Sequence, residues 1–470
     1  MKENIYFYYT NDLHSYFDHW PQIVTFLEQK RRERNDRGEQ YWTVDIGDHL
    51  DRVHPITEAT MGKANVELLN EANYDFATLG NNEGITLSHS HLYHLYDKAT
   101  FDVLCANIHS QTGDNPPWLQ RSKIIRTKSN VKIGLFGITA PFSTYYNLLG
   151  WETETIDETV AREIYSLKNE ADIIILLSHV GIDEDYRMAK LFPEIDCIIG
   201  GHTHHLLQHG EYVNNTLLTA AGKHCAYVGE VQLTWDHEQQ KLVEKQATTT
   251  RITHLHQNYA TKQRIAELEE MADVILNKPI IETSEQISID WFKETNIMKL
   301  WTEKLREWTD ADCAMLNAGL LIEPFQAGTI TYKNVHEICP HPINPCVVTV
   351  NGDELQEIVR AVFTEHFMQL ELKGFGFRGK KLGKMIFANL DVTTNVYADG
   401  TETVKEVLFA GEKLDRNREY KVATADTFTF GRLLPPVARA RNKRLFLPEF
   451  IREILVQTLI DYGKMIRSVY

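Results

Sequence analysis

Apolar residues in this chain come in short blocks that stop abruptly on polar ones. The first block, residues 5–9, is rich in aromatics and predicts a buried strand, with Asp12 and His14 just past its carboxyl end. Four more blocks end the same way. Residues 42–46 stop on Gly47-Asp48, 76–79 on Gly80-Asn81-Asn82-Glu83, 173–177 on Ser178-His179, and 195–199 on Gly200-Gly201-His202-Thr203-His204. Open α/β sheets bind ligands outside the carboxyl ends of their strands. Five strand ends therefore bring two Asp, one Asn and four His to one edge of a sheet.

Between these blocks the apolar spacing turns helical. It predicts helices over 21–34, with Ile23, Phe26 and Leu27 inward, over 61–73, with Ala64, Leu68 and Leu69 on one face, and over 155–170. The charged run at 31–38 reads as a solvated helix end, and His89, His91 and His94 as the polar side of a helix. Residues 131–139 form a further core strand, and 216–235 predict antiparallel strands closing the unit. A helix over 258–277, with Ile265, Leu268, Ala272 and Ile275 in step and Pro279 following, separates two differently patterned halves. The expected organisation is a first domain over 1–254, a connector over 255–279 and a second domain over 280–470. The second half opens with a helix at 296–310 and a strand at 312–317, and has loops at 373–384 and 424–436.

Composition narrows the classes. At 470 residues the chain has room for two or three domains at roughly 150 residues each. Its 43% hydrophobic and 24% charged residues are those of a folded globular protein. A net charge of −16 argues against nucleic-acid binding, which depends on neutralising phosphates. The six cysteines include no CxxC pair, so neither a zinc cage nor a disulfide framework is expected. A core strand close to Met1 leaves no room for a secretory leader, and no apolar run reaches the ~18 residues of a membrane span. The expected location is cytoplasmic, with no membrane partner.

Asp, Asn and His offer oxygen and nitrogen donors suited to Mn, Zn, Co or Fe. Seven such groups exceed one tetrahedral site and suffice for two divalent metal ions sharing a carboxylate. In order and approximate spacing, the blocks Asp12-x-His14, Gly47-Asp48, Gly80-Asn81, His179 and Gly201-His202-Thr203-His204 resemble the calcineurin-like metallophosphoesterases, in the branch of 5′-nucleotidases and UDP-sugar hydrolases. The resemblance implies that Asp12, His14 and His204 hold the first metal, that Asn81, His179 and His202 hold the second, and that Asp48 bridges them. It implies an α/β fold: a layered α/β/β/α phosphoesterase domain joined by a helix to an α+β substrate-binding domain. It also implies phosphate release by attack of metal-activated water, with no phosphoenzyme.

One departure touches the chemistry. The family reads Gly-Asn-His-Glu where this chain has Gly80-Asn81-Asn82-Glu83, and its His donates to the reacting phosphate or leaving oxygen. Asn82 donates a hydrogen bond but carries no titratable proton. Asn82 and Asp48 are the expected catalytic residues, and slower hydrolysis favouring activated leaving groups is the expected result.

The second half resembles the carboxy-terminal domain of the same branch at Leu316-Asn317-Ala318-Gly319, at Cys339-Pro340-His341-Pro342-Ile343-Asn344 and at Asn351-Gly352-Asp353-Glu354-Leu355. That domain stacks the base between two aromatic rings, which implies Phe375 or Phe377 with Phe428 or Phe430, beside Asn317 and Gly319. Leu320 and Leu321 stand where the family has an arginine, and Gly431-Arg432-Leu433-Leu434-Pro435 replaces its Gly-Gly-Asp-Gly-Tyr pattern. Arg378 and Arg432, with Lys380 and Lys381, are the expected replacements for the positive charge. The leading reading is a dimetal phosphohydrolase acting on a nucleotide or related small phosphate ester. The alternatives are a phosphodiesterase or pyrophosphatase acting on cyclic nucleotides or nucleotide sugars, and a weakly catalytic nucleotide-binding protein.

Overall fold

The computed structural model describes residues 1–374, 376–397, 402–431 and 433–469, with backbone alone for 467–469. The chain divides into two compact units, Met1–Ala272 and Asp273–Tyr470. The helix Tyr259–Leu276 spans the division.

Two sheets form the centre of the first unit. One has seven strands in the order Lys241–Arg251, Tyr227–Asp236, Lys2–Thr10, Gln40–Asp45, Phe76–Ala77, Asp102–Leu104, Leu119–Gln120. The other has six, in the order Glu211–Val213, Thr216–Thr219, Cys197–Gly200, Ile173–His179, Lys132–Thr139, Ser122–Arg126. Alternation with period two sorts each strand's side chains between two layers. Ile173, Ile175 and Leu177 join Ile5, Phe7 and Tyr9 in one core shared by both sheets. The intervening Ile174 and Leu176 pack with Val160 and Ile164 of the helix Ile156–Leu167 and with Met188 of the helix Ile182–Leu191. On the far side of the seven-stranded sheet, Tyr8 meets Phe26 of the helix Trp20–Arg37 edge-on at 6.1 Å. These are the α/β/β/α layers. The strands that end at the polar residues run parallel: Lys2–Thr10 with Gln40–Asp45, and Ile173–His179 with Cys197–Gly200.

The antiparallel strands expected over 216–235 form, in two different sheets: Thr216–Thr219 lies antiparallel to Glu211–Val213 and parallel to Cys197–Gly200, and the chain then crosses to the other sheet, where Tyr227–Asp236 lies antiparallel to Lys2–Thr10 and to Lys241–Arg251. The charged run at 31–38 is less solvated than expected. Arg34 is 4% exposed, lies over the Tyr6 ring at 3.7 Å and donates to Tyr8 Oη and Glu39.

The second unit is α+β. A five-stranded mixed sheet in the order Met385–Ala388, Cys313–Asn317, Glu419–Ala425, Pro345–Asn351, Lys443–Leu445 shares one core with the helices Asn296–Thr309, Gly352–Val362 and Ile451–Val469. Among the described residues, no helix is long and apolar enough to cross a membrane.

Candidate metal centre

The loops that follow the strands are tied together through their backbones. Past Lys2–Thr10 and Gln40–Asp45, Asp12 N donates to Gly47 O at 3.0 Å and His14 N to Asp48 O at 2.8 Å. Five of the seven expected ligands, Asp12, His14, Asp48, His202 and His204, have φ between 50° and 75°. Left-handed backbone costs a non-glycine residue about 1 kcal/mol or more and persists where the surroundings over-determine it, typically at functional sites. Glycine permits the closest approach: a Cβ on Gly47 would meet Gly80 N at 2.3 Å, and one on Gly80 would meet Asp48 Oδ1.

These turns aim the donor atoms into two groups, Asp12 with His14 and His204, and Asp48 with His179 and His202. In the first, His14 Nε2 lies 3.1 Å from His204 Nε2, and Asp12 Oδ1 lies 3.7 Å and 3.4 Å from these two nitrogens. Donors held about 2.1 Å from one cation in a tetrahedron are about 3.4 Å apart, so this spacing fits a transition-metal ion. In the second group, Asp48 Oδ2 is 3.4 Å from His179 Nε2, and His202 Nδ1 is 2.8 Å from Asn81 Oδ1. The same Asp48 oxygen lies 3.7 Å from His14 Nε2, so it faces both groups.

His179 supplies an independent test of the fit. It is wholly buried, its Nδ1–H donates to Ile46 O at 2.6 Å, and its Nε2 has no hydrogen-bond partner among the described residues. An imidazole fixed by a carbonyl at one nitrogen and left with a bare, buried lone pair at the other is a ligand's arrangement.

The charges agree. Burial pushes Asp12 up, but hydrogen bonds from His14 and His204 outweigh it and hold the carboxyl well below its usual range. Burial lowers the His179 pKa, yet Asp48 and Asp12 carry it up to about 9. His202 goes down to about 4 through burial and the neighbouring His179. Asp48 and Asp12 thus favour a positive charge at the His14 and His179 nitrogens, which a bound cation supplies in place of a proton.

Several supports were not recognised in the sequence. Glu83, buried at the start of the helix Asn81–Ile85, accepts from Asp48 N and Gly80 N at 2.9 Å each and from Leu50 N at 3.1 Å. Asn11 donates to Asp12 Oδ2 at 2.7 Å and to Gly222 O at 2.6 Å. Asp51 Oδ2 stands 3.5 Å from His14 Nδ1. Of the Gly80-Asn81-Asn82-Glu83 block, the sequence singles out only Asn81 and Asn82, because the bonds of Glu83 to the Asp48 loop span 33 to 35 residues and carry no local signal. Asn82 N donates to Asp48 Oδ1 at 2.7 Å, and the Asn82 amide nitrogen lies 2.8 Å from His14 Nδ1.

Two of the four expected aromatic rings of the second domain are packed in its core. Phe377, 3% exposed, stacks on the buried His341 at 5.1 Å, and Phe428, 0% exposed, packs against Phe367. Core packing therefore corrects the reading of these two rings as free stacking faces. Phe430 is half-buried, while Phe375 and Arg432 lie outside the described residues. Asn317 Nδ2 donates to Leu382 O at 2.9 Å, and a Cβ on Gly319 would meet Lys381 O, so both hold the loop against its neighbour. Arg378 N donates to His341 Nδ1 at 2.9 Å, and Lys381 pairs with Glu371.

Residues 5–206 match the calcineurin-like phosphoesterase family, and residues 275–432 match the 5′-nucleotidase C-terminal domain. The uncharacterized metallophosphoesterase YunD of Bacillus subtilis is 41% identical over 460 residues, covering 98% of this chain and 100% of that protein. The 5′-nucleotidase of Vibrio cholerae is 22% identical, over 73% of this chain and 71% of its own length. The solved structure of the NAD nucleotidase of Haemophilus influenzae has the same fold, with a TM-score of 0.67 at 14% identity, covering 98% of this chain and 97% of that one.

Proposed function

The chain belongs to the calcineurin-like phosphoesterases that carry a 5′-nucleotidase C-terminal domain, and within that family we propose that it releases phosphate from a nucleotide or related small phosphate ester. It is a metal-dependent phosphoester hydrolase. In our reading Asp12, His14 and His204 hold one divalent cation, Asn81, His179 and His202 hold the other, and Asp48 is shared. The observation that carries this is the single Asp48 oxygen standing within 3.7 Å of His14 and 3.4 Å of His179. The donor set, free of thiolate, suits Mn, Zn, Co or Fe.

When bound, two such cations polarise a phosphoryl oxygen and make a nucleophile available at neutral pH. The protein's part is placement. Glu83 and the Asn82 backbone fix Asp48 from two sides, and Ile46 O fixes the His179 ring. Division into a catalytic domain over 1–254, a connector over 255–279 and a substrate domain over 280–470 belongs to the same proposal. All six cysteines are free and buried, which supports a reducing compartment, the cytoplasm.

The test is phosphate release by metal-reconstituted protein from nucleoside monophosphates, cyclic nucleotides and nucleotide sugars, with metal content measured alongside. Two metal ions per chain and turnover of one substrate class are expected, with activity lost in Asp48→Asn. No release from any substrate, or full activity in Asp48→Asn, would overturn the proposal. A second reading draws on Asn82: with no titratable proton there, anhydrides and nucleotide sugars, whose phosphate leaving groups need no proton, come first. A binder with little turnover would instead show ligand-dependent stabilisation and no product.

A further inference from the structure

Beside the first ligand group lies an aromatic pair that ligates nothing. His224, in the turn between Thr216–Thr219 and Tyr227–Asp236, has left-handed backbone at φ 55°. Its N–H donates to Asp12 O at 2.8 Å, and its carbonyl lies 3.0 Å from His19 Nδ1. The His224 ring is thereby held edge-on to the His14 ring, with centroids 6.1 Å apart and planes at 89°. Tyr16 lies nearly parallel to His224, at 5.0 Å and 17°. The stack is built by the same backbone that shapes the metal loop.

Tyr16 is nonetheless 41% exposed, and its hydroxyl has no partner among the described residues. The adjacent Lys223 is exposed and has no ion-pair partner among them either. A tyrosine this open contributes little core, so its fixed orientation two residues from a metal ligand calls for another use.

We infer that Tyr16, backed by His224, forms a subsite for the planar aromatic part of the substrate, a nucleobase, with Lys223 as its cationic edge. The inference rests on the phosphohydrolase reading and adds to it where the leaving group lies. Stacking is sequence-tolerant, because every base offers a π face. The subsite thus selects for an aromatic ring rather than for one particular base.

The experiment compares adenosine monophosphate with glycerol phosphate on the manganese-loaded protein. Both leave as poor alkoxides, so they differ in the ring and not in the chemistry. Tyr16→Ala should raise KM for adenosine monophosphate relative to glycerol phosphate by roughly tenfold, the size of one lost stacking contact, and Tyr16→Phe should restore the ratio. Binding of adenosine, which carries no phosphate, should weaken by a similar factor in Tyr16→Ala. If Tyr16→Ala shifts both esters equally and leaves adenosine binding unchanged, the ring is structural and the subsite is refuted while the hydrolase reading stands. If wild-type protein hydrolyses neither ester, the monoesterase form of the hydrolase reading fails, and the adenosine titration still decides for or against the subsite.

Discussion

Asn82→His separates what position 82 does for the fold from what it does for the chemistry. The backbone N–H of Asn82 holds Asp48 Oδ1 at 2.7 Å, and that bond survives any side chain. The substitution removes only the amide contact with His14 Nδ1, a neutral hydrogen bond contributing about 0.5–1.5 kcal/mol, which is at most about tenfold in cation affinity at the first group. In exchange it introduces a proton donor at the rim of the site. General acid help is typically about 10²–10⁴-fold where the leaving oxygen needs a proton, and little where it does not. The two effects oppose each other and depend differently on substrate, so a ratio isolates the second. With saturating metal, kcat/KM for glycerol phosphate relative to 4-nitrophenyl phosphate should rise at least about tenfold in Asn82→His. A ratio that stays within about twofold of wild type would show that the missing proton donor does not limit the chemistry, and the leaving-group argument would be wrong.

Two further outcomes follow from the loops around Asp48. In Glu83→Gln one oxygen cannot serve all three backbone N–H groups, so the Asp48 turn loosens and cation affinity should fall about 10–100-fold in a chelator competition titration; unchanged affinity with a lower melting temperature would make Glu83 a fold residue only. Asp45, buried and accepting from Thr10 Oγ1 and Gly47 N, is pushed up to about 8 by burial. With its folded pKa above the unfolded value, the stability it contributes is complete below about pH 4 and is lost as pH rises through about 8. Asp45→Asn mimics the protonated form, so its melting temperature should gain on wild type from pH 5 to pH 9, and a constant difference would contradict the assignment.

Much of the candidate metal centre was legible because the proposed ligands sit where apolar blocks stop. A buried parallel strand must be apolar along its length, so Asp12, Asp48, Asn81, His179 and His202 stand out at the strand ends. What the sequence hid depends on contacts made at a distance. Thr216–Thr219 is a short apolar run, and nothing in four residues says which sheet it joins or in which direction. Arg34 looks solvated within a run of charges until Tyr6, Tyr8, Glu39 and Glu230 surround it. Phe377 and Phe428 share their spacing with any core phenylalanine, and only packing distinguishes a stacking ring from a filler.

The supports show how the proposed ligands are kept in place. Asp12 and His179 are each held twice: by the strand that delivers them and by a bond from outside it, Asp12 by Asn11 and His202 N, and His179 by Ile46 O. Site geometry within fractions of an ångström requires such a supporting shell, and the close approach of Gly47 to Gly80 leaves the turns no alternative. Substrate choice has no comparable constraint. Asn82, Tyr16 and Leu320 can each change without moving a strand, because the Asn82 side chain adds one contact, the Tyr16 ring is exposed, and Leu320 belongs to the second unit's own core. The supporting shell therefore constrains the cation loops more than the groups that would handle the leaving group, and proton donation and ring recognition are the properties that substitutions can tune without disturbing Asp48 or His179.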